Sequence, residues 1–290
     1  MPATPDNVHT STPPPARVRP WDEDGYLLLR DVISQQAIEA LRGVFVRVVD
    51  TMIARAKADG LIRDEMTDLP FETRFSRALG VHANRFGRSW REAITSRALF
   101  ELHREPKLVA ALAQVIGPEV RGHAVWNARP KVPGQQLTVV PWHQDSGYFG
   151  PQSVHSRIIT AWIPLVDVDA AMGAIQVIPG SHRGGLVKHR TEERDGKFLE
   201  IDAPVDASGA VTCEMHRGDA LLFGNLLFHR SLATTRDTIR WSVDLRFYPE
   251  GDDPGSIHWP DPKNKWVIAS RTEPPTTFEQ WQAITGNPPW

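Results

Sequence analysis

The sequence predicts an α+β fold in which helices pack against a double-stranded β-helix, or jelly roll. Two observations predict it. Apolar residues recur at three- and four-residue spacing ahead of residue 117. From residue 119 to about 250 the texture changes to short runs rich in β-branched and aromatic residues, broken by Pro, Gly and Asp.

The elements follow in order. Residues 1–20 hold Pro13-Pro14-Pro15 among Thr, Ser and Arg, lack the apolar core of a signal peptide, and read as a disordered tail. Trp21 to Arg30 reads as a turn running into a short strand. Ser34 is a plausible N-cap. After it Ile38, Leu41, Val44, Phe45, Val48, Val49, Met52 and Ile53 mark one long amphipathic helix. Residues 60–90 are polar and loop-like. A second helix, about Pro106 to Ile116, is stopped by Gly117-Pro118. The helical part is therefore about 34–117. The strand runs are Val120–Asn127, Gln136–Trp142, Ile158–Leu165, Ala174–Ile178, Ala220–Phe223 and Ile239–Tyr248, giving a jelly-roll core of about 119–250. Residues 251–290, rich in Pro and Trp, are expected to wrap this core, with one short helix near Phe278–Ile284. Residues 21–290 thus read as a single domain without internal repeats.

Bulk properties exclude several functions. Among 290 residues, 41% are hydrophobic and 23% charged, ordinary values for a chain with a sizeable core. A net charge of -2 gives no reason to expect nucleic acid or an anionic membrane as partner. No run approaches the ~18 apolar residues of a membrane span. Cys213 is the single cysteine, so no intrachain disulfide forms and a cytoplasmic location fits best. Oligomeric state is not legible.

The chemistry concentrates at His143-Gln144-Asp145 and His229. Residues two apart on a strand project from one face, so His143 and Asp145 point together. A second imidazole, His229 at the end of another run, completes two histidines and a carboxylate, the facial set of non-haem Fe(II) oxygenases with open positions opposite. A His-x-Asp triplet arises roughly once by chance in a chain of this composition, so its strand context decides. The similar His103-Arg104-Glu105 leads into Pro106 and reads as a helix cap. Arg240 lies eleven residues beyond His229, room for a hairpin through Thr234 to Asp237. A guanidinium there can grip the far carboxylate of a dicarboxylic co-substrate such as 2-oxoglutarate. Ser231 adds a hydroxyl donor. The bland alternative for Arg240 is a salt bridge with Asp244 or Asp237.

Together Pro141-Trp142-His143-Gln144-Asp145, Ala161-Trp162-Ile163-Pro164-Leu165, Gly173 to His182, His229-Arg230-Ser231 and Arg240 make the chain resemble the phytanoyl-CoA dioxygenase family. The Asp24-Gly25-Tyr26 segment and its following helix match as well, so the resemblance spans roughly residues 20–250. It implies an Fe(II)- and 2-oxoglutarate-dependent oxygenase on a double-stranded β-helix, using O2. His143, Asp145 and His229 would be the iron ligands; Arg240 and Ser231 would hold the distal carboxylate of 2-oxoglutarate, with Trp162 near it. The strand Val125 to Lys131 would supply a polar group for the proximal carboxylate, with Asn127, Arg129 and Lys131 as candidates. Halogenating relatives lack the carboxylate ligand; Asp145 is present, so hydroxylation of a small molecule is expected.

Eight Lys/Arg against three Glu between Arg74 and Lys107 mark either a pocket for an anionic substrate or the solvated faces of surface helices. Two other classes compete: a cupin-like metalloenzyme that does not use 2-oxoglutarate, and a catalytically silent binding module. Arg240 and Ser231 speak against the first, and the intact ligand set against the second.

Overall fold

The structure is a computed structural model and describes residues 21–86, 90–135, 138–193, 198–252 and 265–286. The expected tail, residues 1–20, lies outside the described residues. A single turn α1 (Trp21–Asp24) leads into β1 (Tyr26–Leu29) and then α2 (Gln35–Ala58). The Ser34 hydroxyl accepts the Ala37 N–H at 3.1 Å and so caps α2. All eight apolar positions of the predicted stripe are buried.

The loop expected over 60–90 is partly wrong. It contains α3 (Phe71–Leu79) and a 3-10 turn over 80–86. The stripe of α3 is short, and its helical register is set by packing: Phe71 stacks on Trp241 at 4.9 Å, and Phe75 meets Trp90 at 5.3 Å. Short helices α4 (Trp90–Ala93) and α5 (Arg97–Leu102) precede α6 (Pro106–Ile116), which ends at Gly117 as predicted. The second His-x-carboxylate triplet joins two helices, with His103 at the C-cap of α5 and Glu105 at the N-cap of α6; the Glu105 carboxylate caps no N–H of α6 but accepts from the Ser34 N–H and hydroxyl, and His103 is buried.

The strands β2 (Val120–His123), β3 (Asn127–Ala128), β4 (Ile159–Pro164), β5 (Ile175–Val177), β6 (His189–Thr191), β7 (Leu199–Ile201), β8 (Val211–Cys213), β9 (Ala220–Gly224), β10 (His229–Ser231), β11 (Ser242–Pro249) and β12 (Lys265–Ala269) pair antiparallel throughout. A short helix, α7 (Ser146–Phe149), follows Asp145. The large sheet runs β1-β9-β4-β11-β2-β12, with β3 also on β11. A smaller sheet runs β10-β5-β8, and the segment at His143 adds to its β10 edge through a single bridge to His229. The two sheets form the jelly roll.

Two expectations need correction. Gln136–Trp142 is not a strand: Gln136 and Leu137 lie outside the described residues, and Thr138–Trp142 is irregular, with Pro141 unable to donate to a ladder. His229 and Arg240 are not hairpin partners. β10 pairs β5, whereas Arg240 bridges Lys131, so the chain crosses from one sheet to the other between them.

Strand β11 and its approach explain how the site is positioned. Trp241, Val243, Leu245 and Phe247 alternate with Arg240, Ser242, Asp244 and Arg246, and all eight are buried. The apolar set meets the helices: Trp241 contacts Phe45, Phe71, Phe75 and Trp90, and Phe247 contacts His103. The polar set therefore faces between the sheets. Helix α8 (Phe278–Thr285), close to its predicted span, closes this layer through Trp281 against Phe100. Among the described residues no helix is long and apolar enough to cross a membrane.

Candidate metal centre

His143, Asp145 and His229 converge between the sheets. Asp145 Oδ1 lies 3.9 Å from His143 Nε2 and 3.8 Å from His229 Nε2. Ligand atoms ~2.1 Å from one ion at right angles stand ~3.0 Å apart, so the three need close by less than ~1 Å. The antiparallel bridge between His143 and His229, with N–H···O distances of 3.0 and 3.1 Å, brings their rings to 4.0 Å. Each Nδ1 sits 2.9 Å from a carbonyl, Pro141 O and Leu227 O. A carbonyl only accepts, so each Nδ1 carries the proton and each Nε2 offers a lone pair inward. Burial depresses the pKa of both rings, keeping them neutral. Gln144 points the other way. Its amide bonds Gly185 O, Leu226 O and Val187 N, fastening three segments behind the triplet.

Burial alone would raise the Asp145 pKa, but Arg246, both imidazoles and Thr160 hold it well below the usual carboxylate range. Thr160 donates to Asp145 Oδ2 at 2.6 Å. Arg246 reaches the same oxygen through Nε at 3.3 Å and through Nη2 at 3.2 Å. An anionic carboxylate beside two neutral imidazoles, in a buried but polar recess, is a donor set suited to a divalent iron ion.

The end of the cavity beyond His229 holds Arg240 and Ser231. Arg240 is fully buried, and burial, with Arg129 nearby, brings its pKa down to about 9. Neither Asp237 nor Asp244 neutralises it by an ion pair: Asp237 pairs with Arg77, and Asp244 with Arg129 and Arg246. Its Nη1 donates to Gly173 O at 2.6 Å, while its Nε has no hydrogen-bond partner among the described residues. A buried guanidinium with an orphan donor is costly unless an anion joins it. The Ser231 hydroxyl accepts from Lys131 Nζ at 3.0 Å and from Val140 N at 3.2 Å, so its own proton is left to give. Lys131 can lie there because Gly173, at φ +79°, has no side chain; a Cβ would meet Lys131 Cδ at 2.4 Å. Trp162 lies under Arg240, ring centroid to guanidinium carbon 5.1 Å.

The cavity is narrow, about 50 Å³, and the three ligands, Arg240, Ser231 and Trp162 all line it. Asn127 does not. Its amide nitrogen donates to Asp244 at 3.0 Å, whereas Arg129, just beyond β3, lines the cavity. The excess of cations between Arg74 and Lys107 has a surface explanation. Arg74, Arg77, Arg97 and Lys107 pair with Asp50, Asp237, Glu279 and Asp31, and none lines the cavity. A groove of about 990 Å³ on another face is lined by charges already paired together, such as Arg236–Asp169 at 2.5 Å. Sequence reasoning missed Thr160, Asp244 and Arg246. The strict polar–apolar alternation from Arg240 to Phe247 was the available signal, since charged residues alternating with large apolar ones on a buried strand need partners inside.

Comparison with known proteins agrees with this geometry. The profile described as "Phytanoyl-CoA dioxygenase (PhyH)" matches residues 21–241. The 1-deoxypentalenic acid 11-beta-hydroxylase of Streptomyces exfoliatus is 26% identical over 275 residues, covering 89% of this chain and 92% of the relative. Among solved structures, the apo non-heme monooxygenase ThoJ superposes with a TM-score of 0.61 at 17% identity, over 86% of this chain and 82% of the other. EvdO2 from Micromonospora carbonacea var. aurantiaca, complexed with 2-oxoglutarate, gives 0.53 at 21% identity, over 84% and 92%. At these identities the structural likenesses establish the fold.

Proposed function

The chain belongs to the phytanoyl-CoA dioxygenase family and is an Fe(II)- and 2-oxoglutarate-dependent dioxygenase, and from that premise we propose the roles of its residues and the kind of molecule it hydroxylates. His143, Asp145 and His229 hold the iron. Iron bound there, with 2-oxoglutarate, supplies activation of O2, with succinate and CO2 released and a C–H bond of the substrate hydroxylated.

The observation that carries the co-substrate reading is Arg240, a buried guanidinium with no carboxylate partner among the described residues, opening on the same cavity as the three ligands. It binds the distal carboxylate of 2-oxoglutarate. Ser231 donates its hydroxyl proton to that carboxylate, while Lys131 fixes the hydroxyl's orientation. Trp162 forms a wall of this subsite and keeps water from the guanidinium. Gly173 O and the Lys131 bridge hold Arg240 in place before the co-substrate arrives, so little ordering is left to do on binding.

Arg129, on the same cavity, keeps 38% of its side chain exposed, and among the described residues its guanidinium bonds Asp244 through Nε. We assign it to an anionic group of the substrate. The Streptomyces relative acts, by its name, on 1-deoxypentalenic acid, a carboxylic acid. The apolar lining from Val140, Ile175 and Phe223 suits the hydrocarbon part of such a molecule. The single cysteine, buried and unpaired, supports a reducing cytosol as its place of work. Succinate formation from 2-oxoglutarate with Fe(II) and O2 tests the reading. With small lipophilic acids as substrates, product oxygen should derive from 18O2, and product oxygen wholly from solvent, with exchange controlled, would exclude the hydroxylase.

A further inference from the structure

Asp145 has two oxygens, and the structure treats them differently. Oδ1 faces His143 and His229 at 3.9 and 3.8 Å and accepts one bond, from Arg246 Nη2 at 3.3 Å. Oδ2 is taken by three donors: the Thr160 hydroxyl at 2.6 Å, Arg246 Nη2 at 3.2 Å and Arg246 Nε at 3.3 Å. Thr160 of β4 and Arg246 of β11 are direct cross-strand partners, so both project from the same face beneath the carboxylate. The platform is braced behind. Arg246 Nη1 stands 3.0 Å from Asp244 Oδ2, and Asp244 is held in turn by Arg129 at 3.2 Å and Asn127 at 3.0 Å. Arg246 itself is fully buried, so its guanidinium has no freedom to turn away, and its planar fork spans both carboxylates.

We propose that Arg246, together with Thr160, is a positioning element that keeps Asp145 a one-oxygen ligand. The consequence is arithmetic. Iron offers six positions; two imidazoles, one carboxylate oxygen and a chelating 2-oxo acid fill five, leaving one for O2. A carboxylate swung round to bind through both oxygens would fill the sixth. With Oδ2 committed to Thr160 and Arg246, that swing costs three hydrogen bonds. Asn127 supports the same brace at one remove. This inference rests on the three-ligand reading above, and it concerns which oxygen is presented rather than which residues bind.

The test is nitric oxide binding, as a stand-in for O2, to anaerobic protein loaded with Fe(II) and 2-oxoglutarate, followed by its electron paramagnetic resonance signal. Arg246→Gln should bind nitric oxide about 10-fold or more weakly than wild type while holding Fe(II) within roughly threefold, since a freed carboxylate is at least as good a metal ligand. Thr160→Val, which keeps the guanidinium, should shift in the same direction by less, and Arg246→Lys should recover only part. Unchanged nitric oxide affinity in Arg246→Gln with native circular dichroism would overturn the proposal. So would Fe(II) affinity falling in step with nitric oxide affinity, the mark of a merely structural residue. If Arg246→Gln does not fold, Thr160→Val decides, and wild-type nitric oxide affinity there overturns it. Failure of the underlying reading looks different: His143→Ala would then bind Fe(II) as wild type does.

Discussion

Arg240→Ala should weaken 2-oxoglutarate binding by roughly 10- to 1000-fold while leaving Fe(II) affinity nearly unchanged. The magnitude follows from the contacts. Nη1 is spent on Gly173 O at 2.6 Å, and Nη2 makes only a long 3.5 Å contact with Arg129 O. Nε and Nη2 are therefore the edge a carboxylate can take, through two charge-assisted bonds worth about 1.5–3 kcal/mol each. Water entering the vacated space returns part of that sum, leaving a net loss of ~1.5–4 kcal/mol, which is the stated range. Isothermal titration of anaerobic Fe(II)-loaded protein with 2-oxoglutarate measures it directly. Arg240→Lys should recover only part, because a point charge cannot reproduce the planar fork. Ser231→Ala should lose less in the same direction. If Arg240 were merely a structural cation, Arg240→Ala would melt earlier yet bind 2-oxoglutarate as wild type does, and that pair of results would refute the reasoning.

Single alanine substitutions at His143, Asp145 or His229 should each abolish Fe(II)-dependent succinate production; near-wild-type turnover in any one removes that residue from the ligand set. Because Asp145 also neutralises Arg246, its variant should melt earlier than the two histidine variants, as differential scanning calorimetry of the metal-free proteins will show. Asp145→Gly should end hydroxylation and open a halide position, visible as chloride-dependent spectral change in the Fe(II)–2-oxoglutarate complex. Arg129→Ala should raise KM for an acidic substrate about 10-fold or more with the 2-oxoglutarate Kd held, and an unchanged KM would remove Arg129 from the substrate site. His103 is fully buried and its pKa is pushed down to about 4 by burial. The unfolded chain binds that proton near pH 6.5, so stability is full above 6.5 and falls by ~3 kcal/mol as pH drops towards 4. His103→Phe should flatten this acid limb in urea titrations of metal-free protein at pH 7.5 and 4.5.

The His143–Asp145–His229 cluster was legible because residue order carries it: a two-residue step on an extended segment puts His143 and Asp145 on one side whatever the loop around them does. Helices α2 and α6 were legible for a similar reason, each having a long stripe and a recognisable end. What stayed hidden depends on pairing between distant segments. Nothing local says that Thr160 stands opposite Arg246, or that Asn127 turns to Asp244 rather than to the cavity. Helix α3 was missed because five of its nine residues are charged or hydroxylic, and Trp241, 170 residues away from Phe71, supplies the packing. The cation excess before α6 says little about the site for the opposite reason. Composition counts charges but not their partners, and Asp50, Asp237, Glu279 and Asp31 come from four separate parts of the chain.

The most direct test of iron- and 2-oxoglutarate-dependent chemistry at this site needs no substrate. Fe(II) is added anaerobically to the metal-free protein, followed by 2-oxoglutarate, and the visible spectrum is recorded. Chelation of iron in the His143–Asp145–His229 site should produce a weak charge-transfer band that saturates with 2-oxoglutarate, disappears in His143→Ala and needs far more co-substrate in Arg240→Ala. Fe(II) bound at one equivalent with no band at saturating 2-oxoglutarate, or a band of equal strength in His143→Ala, would contradict it.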